Sequence, residues 1–328
     1  VVTANENKKE NFSKKINLIF PKNININNAH RLIKSFYCFF LMIKNYRGKN
    51  GVIISYESNV FAIIIAKLIG LSVIIRSNAS PEGYLKNYLK THIFKFFFKF
   101  ADVILVNSSD FKKQIDKILN INSKLIYNSI VDTKTLLKLS TKKIKKYKLK
   151  RKCYKIVVIG RLVRQKDQIT ILRALNLLKT KLNFFVLIIG KGDRESDLKK
   201  FCISKNLSKN VKFLGYKKNI YPYLKWSDAL ILSSKYEGSP NVLIEAISMK
   251  KIVISSNCPT GPKEILKNGK AGYLFKTSDF KDLARKITFS FFNKKISNKK
   301  INYAQKTIKR YSISKNKNEL IKIIKSLK

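Results

Sequence analysis

A chain of 328 residues, 45% of them hydrophobic, is too long for one ordinary domain and apolar enough to bury two cores. Its formal charge of +50 attracts polyanions, yet only 10 of its 69 basic residues are Arg, whereas readers of phosphates and base edges rely on the bidentate Arg fork. With no aromatic platform or recognition helix in view, no nucleic-acid partner is expected, and a basic nucleic-acid-binding protein stays as the last alternative. The excess is Lys. Together with abundant Asn, Ile, Phe and Tyr it matches the codons of an AT-rich genome, and an anionic membrane surface is the functional alternative.

Cys38, Cys153, Cys202 and Cys258 lie far apart and form neither a CxxC pair nor a disulfide framework, so a reducing cytosol is expected. His30 and His92 stand in no metal-ligand spacing, and no Asp-x-Asp occurs, so neither a metal nor a bound cofactor is expected. The apolar stretch Val60 to Ile75 is interrupted by Lys67 and Gly70 and falls short of the ~20 residues that span a bilayer. It reads as a helix followed by a strand. No secretory signal is seen, and Val1 to Ala4 read as the end of a strand, so the N-terminus reads as truncated.

Taken in order, residues 29–46 read as a helix, Gly51 to Ser55 as a strand, 59–69 as a helix and Ser72 to Ile75 as a strand. Helix 83–100, strand Val103 to Asn107 and helix 109–119 follow. The lysine-rich stretch Thr141 to Lys152 lacks a sharp apolar period and reads as the boundary. Beyond it come strand Lys155 to Ile159, helix 167–180, strand Phe184 to Ile189, helix 194–205 and strand Val211 to Leu214. Helix 219–225, strand Ala229 to Leu232, helix 241–249, strand Ile252 to Ser255, helix 262–267 and a helical tail complete the chain. Buried strands alternating with helices are the habit of a doubly wound α/β fold. The expected organisation is an incomplete N-terminal domain over 1–145, a second over 151–290, and a tail over 291–328 returning to the first. A cleft lined by the carboxyl ends of the strands is the expected ligand site.

Gly160 ends a strand, and Arg161 and Lys166 lie in the loop behind it, where a fork and a point charge can hold a diphosphate. In so lysine-rich a chain that loop alone is weak evidence. Gly190-Lys191-Gly192-Asp193 does not complete a dinucleotide fingerprint and reads as an ordinary strand-to-helix turn, which argues against a dehydrogenase. The most informative stretch runs from Ser234 to Ala246. Glu237 stands in a Gly-Pro loop and Glu245 eight residues on, inside a helix whose first amides, near Asn241, Val242 and Leu243, can face an anion. Acids that merely suit a helix dipole are the competing reading.

Gly160-Arg161-Leu162 with Lys166, Glu237 and Glu245 within Glu-Gly-x-Pro-Asn-Val-Leu-Ile-Glu-Ala, Gly261-Pro262-Lys263-Glu264-Ile265, and Gly269 to Phe275 resemble family 4 glycosyltransferases over essentially all of 150–290. The cluster from Cys258 to Ile265 is similar to members that build bacterial surface polysaccharides or lipid-linked oligosaccharides. The resemblance implies a GT-B fold of two Rossmann-like domains and retaining transfer of a hexose or N-acetylhexosamine. The donor would be a nucleotide-diphosphate sugar, with UDP expected, and the acceptor a lipid-linked or growing saccharide. It implies that Arg161 and Lys166 stabilise the leaving diphosphate, that Glu237 meets the donor sugar, and that Glu245 meets the ribose. Gly160, Gly238, Ser239, Pro240, Asn241, Val242 and Leu243 would line the rest. The expected location is the cytoplasm, peripheral on the inner face of the membrane. The glycine-rich loop with which family members open is not present, so a truncated or inactive nucleotide-sugar-binding remnant is the alternative. Arg76, Ser77 and Asn78 are the acceptor-side candidates, with a plain turn as the competing reading. Helix 84–100 mixes Lys with Phe, Leu and Ile, and either lies on a membrane or packs its aromatic stripe into the core.

Overall fold

Runs such as Val-Ile-Ile-Ser and Val-Ile-Leu-Val have no polar face to offer water, and each becomes a strand covered on both sides. The computed structural model describes residue 19 and residues 30–56, 58–78, 87–130, 132–150 and 152–327. The readings of a strand end at residues 1–4 and of a helix through residues 83–86 lie outside the described residues. The chain divides into two compact units, one of residues 1–106, 112–126 and 320–328, the other of residues 107–111 and 127–319.

In the first unit, α1 (Arg31–Tyr46), β1 (Val52–Ser55), α2 (Asn59–Leu68), β2 (Ser72–Ser77), α3 (Tyr88–Phe98) and β3 (Val103–Val106) follow the order read from sequence. α3 starts later than that reading, because Asn87 is extended and its side chain accepts the amide of Leu89 at 2.9 Å, which caps the helix there. α4 (Ser109–Leu119) leads to β4 (Lys124–Leu125), and the parallel sheet has the order β1-β2-β3-β4. Each step moves to the next strand in the same direction. Right-handed crossovers therefore place α2, α3 and α4 on one face, and α1 packs beside α2. The other face is closed by Leu320, Ile323 and Ile324 of α13 (Ile313–Lys325), which meet Ile74, Val103, Leu105 and Ile126.

The second unit opens with α5 (Thr133–Leu139), whose N-cap Asp132 accepts two backbone amides. It then runs through β5 (Tyr154–Ile159), α6 (Gln168–Leu178), β6 (Phe184–Ile189), α7 (Glu195–Ser204), β7 (Val211–Phe213), α8 (Tyr221–Trp226), β8 (Ala229–Leu232) and α9 (Asn241–Ser248). β9 (Ile252–Ser256), α10 (Pro262–Ile265), β10 (Tyr273–Phe275), α11 (Phe280–Phe292) and α12 (Lys294–Thr307) complete it. All six strands are parallel in the order β10-β9-β8-β5-β6-β7. The strand pleat sends alternate residues to opposite cores. Ile156, Val158, Val186, Ile188 and Ile231 pack with α6 and α11, whereas Val157, Leu187, Leu230 and Leu232 pack with α8 and α9. The chain winds outward from β5 through β6 to β7, then returns to β8 on the other side of β5. This reversal between β5 and β8 is the topological switch point at which ligands bind in such sheets.

The fold is thus α/β with two parallel sheets. Sequence reading missed β4 and β10, which are two and three residues long, and α5, seven residues within a lysine-rich region. Among the described residues no helix is long and apolar enough to cross a membrane. Ile231 is fully enclosed and Ile203 is 68% exposed. Ile231→Ala is expected to cost about 2–5 kcal/mol and Ile203→Ala less than about 0.5 kcal/mol. Denaturant midpoints of the full chain check the contrast.

Candidate functional site

The loops after β5 and β8 are joined by four side-chain or backbone bonds. Lys235 N donates to Gln165 O at 2.8 Å, Gln165 Nε2 to Tyr236 O at 2.8 Å, and Ser233 Oγ to Lys166 O at 2.7 Å. The fourth is the ion pair of Lys166 Nζ with Glu237 Oε1 at 2.5 Å. Both side chains are largely enclosed, 16% and 10% exposed. Taking two such charges from water costs several kcal/mol each, which only close pairing and further hydrogen bonds offset. Those bonds are present. Ser234 Oγ donates to the same Glu237 oxygen at 2.5 Å, and Thr260 Oγ1 donates to the Glu237 carbonyl.

Glycines let the neighbouring loops come this close. A Cβ on Gly190 would stand 1.9 Å from Gly160 O, and one on Gly261 would stand 2.6 Å from Gly238 O, with Gly261 itself at φ +87°. The turn Gly190-Lys191-Gly192-Asp193 is therefore more than a connection. Leu162 N donates to Lys191 O and Arg194 N to Leu162 O, which sets the path of Gly160 to Leu162. Arg161 is exposed, and its carbonyl accepts Gln168 Nε2 at 2.8 Å. The Lys166 stem runs beside Gly160, 3.6 Å from where a Cβ would be.

α9 starts at Asn241 with Pro240 before it and no side-chain cap; Leu243 N donates to Pro240 O at 3.1 Å, and the amides of Asn241 and Val242 are left for another acceptor. Asn128 Nδ2 bonds Asn241 Oδ1 at 2.7 Å and Ser239 O at 3.2 Å, while Ser239 Oγ is buried with no hydrogen-bond partner among the described residues. Glu245, one turn along, is half-buried and accepts Tyr221 Oη at 3.1 Å. Burial raises its carboxyl above the ordinary value, against the opposing effect of that bond. Burial and the neighbouring Glu245 likewise raise the Tyr221 hydroxyl.

Gly160, Lys166, Glu237, Gly238, Ser239, Pro240, Asn241, Val242, Leu243 and Glu245 thus share the carboxyl edge of one sheet, with Arg161 beside them. Sequence reading missed the supports Gln165, Ser233 and Tyr221, and quoted Ser234 and Thr260 without giving them a task. It quoted Glu264 without giving it a task. That carboxylate accepts the Ser109 amide at 2.8 Å and Tyr127 Oη at 2.7 Å, and Arg310 donates to its carbonyl at 2.8 Å. Burial first, then Glu264, pushes the Tyr127 hydroxyl up to about 12. Arg76 and Ser77 are buried at the end of β2, with Arg76 donating to Ile126 O and Asn78 Oδ1. Their hydrogen bonds anchor the strand end. Among the described residues no group of three or more His, Cys, Asp or Glu side chains is placed to hold a metal ion.

A carboxyl whose folded pKa is raised contributes most to stability below its unfolded pKa, and that contribution is lost as pH rises through the folded value. Glu245→Gln is therefore expected to flatten the fall in stability as pH rises above the ordinary carboxyl range. Tyr221→Phe, which removes the opposing bond, is expected to raise the Glu245 pKa further. Carbon-13 titration of the labelled carboxyl reads the shift, and an unmoved titration in Tyr221→Phe rejects the coupling.

Comparison with known proteins bears on the same region. The family described as "Glycosyl transferases group 1" matches residues 140–307, just over half of the chain. An uncharacterized glycosyltransferase of Methanocaldococcus jannaschii is 35% identical over 179 residues, 53% of this chain and 44% of that protein. The matched stretch is thus less than half the length of that relative. A Campylobacter jejuni alpha-1,4-N-acetyl-D-galactosaminyltransferase, named for a diphospho-undecaprenol-linked GalNAc acceptor, is 28% identical across 91% of this chain and 81% of its own. Among solved structures, Anabaena HepE in complex with UDP superposes with a TM-score of 0.76 at 16% identity, covering 94% of this chain and 86% of that one. A glycosyltransferase from Rickettsia africae gives 0.73 at 18% identity, with 95% and 85% covered. These structural likenesses are ones of fold, that of GT-B glycosyltransferases. With the family spanning β5 to α12 and its motifs gathered at one switch point, the chain belongs to the group 1 glycosyl transferases.

Proposed function

We propose that the chain is a retaining, metal-independent enzyme of the family 4 type that moves a hexose or N-acetylhexosamine from a UDP-sugar to a lipid-linked or growing saccharide. In this reading the acceptor-side domain covers 1–145, the donor domain 151–290 and the tail 291–328, and the enzyme works peripherally at the cytoplasmic face of the membrane. The observation that carries it is the enclosed Lys166–Glu237 pair at the switch point, beside the uncapped start of α9. The UDP bound to Anabaena HepE and the diphospho-undecaprenol acceptor named for the Campylobacter relative support the choice of donor and acceptor.

The chemistry follows from where charge grows. As the anomeric C–O bond breaks, the departing diphosphate gains negative charge that Lys166 meets as a point charge and Arg161 as a fork. Glu237 and Lys166 hold each other until the diphosphate arrives. Lys166 then turns to phosphate, and Glu237 accepts hydroxyls of the donor sugar. The first amides of α9 stabilise the phosphates through the helix dipole, and Glu245, steadied by Tyr221, accepts from the ribose. The acceptor hydroxyl attacks from the face the leaving group departs, and the phosphate oxygen takes its proton, which retains configuration. A covalent glycosyl-enzyme on Glu237 is the other route to the same product.

UDP or a UDP-sugar is expected to raise the melting temperature, with the shift lost in Arg161→Ala and Lys166→Ala. Lys166→Ala is expected to lower kcat/KM by roughly 10²–10³-fold. Glu245→Ala is expected chiefly to weaken binding and Glu237→Gln chiefly to remove turnover, because the two meet different parts of the donor. Proton NMR of the product reads the anomeric configuration. No stabilisation by UDP, GDP or any UDP-sugar would overturn the reading.

A further inference from the structure

Two helices of the first unit carry apolar stripes turned away from their own core. On α1, Ile33, Phe36 and Phe40 recur at helical spacing opposite the buried Ser35, and Phe36 and Phe40 are 65% and 61% exposed. On α3 and the turn that follows it, Leu89, Ile93, Phe96 and Phe100 recur at i, i+4, i+7 and i+11, opposite the buried Phe98, and Leu89 and Phe96 are 67% and 59% exposed. This is the reverse of a helix that packs its aromatic stripe into the core. α1 and α3 both pack on α2 within one layer, so the two stripes lie on the outer side of that layer. Clusters of exposed aromatics of this kind mark an interaction surface rather than scattered surface residues.

Charge identifies the occupant. No Asp or Glu occurs on α1, α2 or α3, whereas Lys34, Lys44, Lys67, Lys90 and Lys95 do, with Lys99 just after α3; Lys67 pairs with Asp102 at 3.2 Å. A second copy of the chain would bring Lys44, Lys90 and Lys95 face to face across a two-fold axis, with no carboxylate on α1 or α3 to answer them. An anionic bilayer offers both what the aromatics need and what the lysines need: acyl boundary below, phosphate above. We infer that the outer face of α1 and α3 docks on an anionic lipid bilayer, with Phe36, Phe40, Phe96 and Phe100 entering the headgroup boundary and Lys44, Lys90, Lys95 and Lys99 among the phosphates. That this surface brings the enzyme to a lipid-linked acceptor rests on the function proposed above. The docking itself is measured with neither donor nor acceptor present, so each reading can fail alone.

The test uses the full chain and vesicles of mixed phosphatidylcholine and phosphatidylglycerol, against vesicles of phosphatidylcholine alone. The sequence has one tryptophan, Trp226, in the second unit, so the indole introduced by Phe96→Trp reports on the α3 stripe after subtraction of the unsubstituted protein. Its emission is expected to shift to the blue and to be quenched by brominated lipid in the anionic vesicles. Lys90→Gln/Lys95→Gln/Lys99→Gln is expected to lower the partition coefficient about fivefold per lysine, roughly a hundredfold in all. The equal charge change Lys205→Gln/Lys209→Gln/Lys218→Gln, in the second unit, is expected to lower it far less. Phe40→Ser/Phe96→Ser, at exposed positions, is expected to lose binding with its melting temperature kept. Three results overturn the inference: no quenching of the introduced indole, equal losses in the two lysine triples, or sedimentation velocity showing a dimer that Phe40→Ser/Phe96→Ser dissociates.

Discussion

The buried pair of Lys166 and Glu237 is the constraint around which the second unit is arranged. Two charges that have left water need a short contact and filled lone pairs, or the site cannot hold them ionised. Ser234 fills one position on the Glu237 carboxylate, while Thr260 takes its carbonyl and Ser233 takes that of Lys166. Ser233 and Ser234 lie in the loop after β8 and Thr260 in the loop after β9, while Lys166 follows β5. The pair therefore reports the correct assembly of β5, β8 and β9.

Sheet topology explains why the pair can exist at all. Lys166 and Glu237 are 71 residues apart, and β5 and β8 become neighbours only because the winding reverses there. Helices diverge at such a point and leave the strand ends open. The close backbone approach of Gly190 to Gly160 and of Gly261 to Gly238 then draws the flanking loops inward, where any side chain on Gly190 or Gly261 would push them apart.

The surplus of lysine has several uses. Lys251 Nζ donates to Lys225 O and Ser227 O, Lys300 to Gly269 O, and Lys112 to Asp116 and the Ser123 carbonyl, so part of the charge closes turns and helix ends. Lysines on α1 and α3 instead border exposed aromatics, on helices that carry no carboxylate of their own. Composition supplies the residues; the fold decides which of them meet a partner.

The sequence by itself determined the alternation of strands and helices, the parallel character of both sheets, and the position of the family motifs after β5 and β8. These are local properties, since a run such as Phe184 to Ile189 has no polar face and must be buried on both sides wherever it falls. Elements too short to show a period, β4, β10 and α5, escaped because two, three or seven residues carry little pattern and their stability comes from neighbours. Gln165, Ser234, Thr260 and Tyr221 are ordinary residues until the sheet brings them to a carboxylate, so their roles were not legible. Only the tertiary structure decided that Lys166 closes on Glu237, that Tyr221 steadies Glu245, and that the stripe of α3 faces outward. Ion pairing and burial depend on distance in space, and in a doubly wound sheet that distance is set by strand order rather than by separation along the chain.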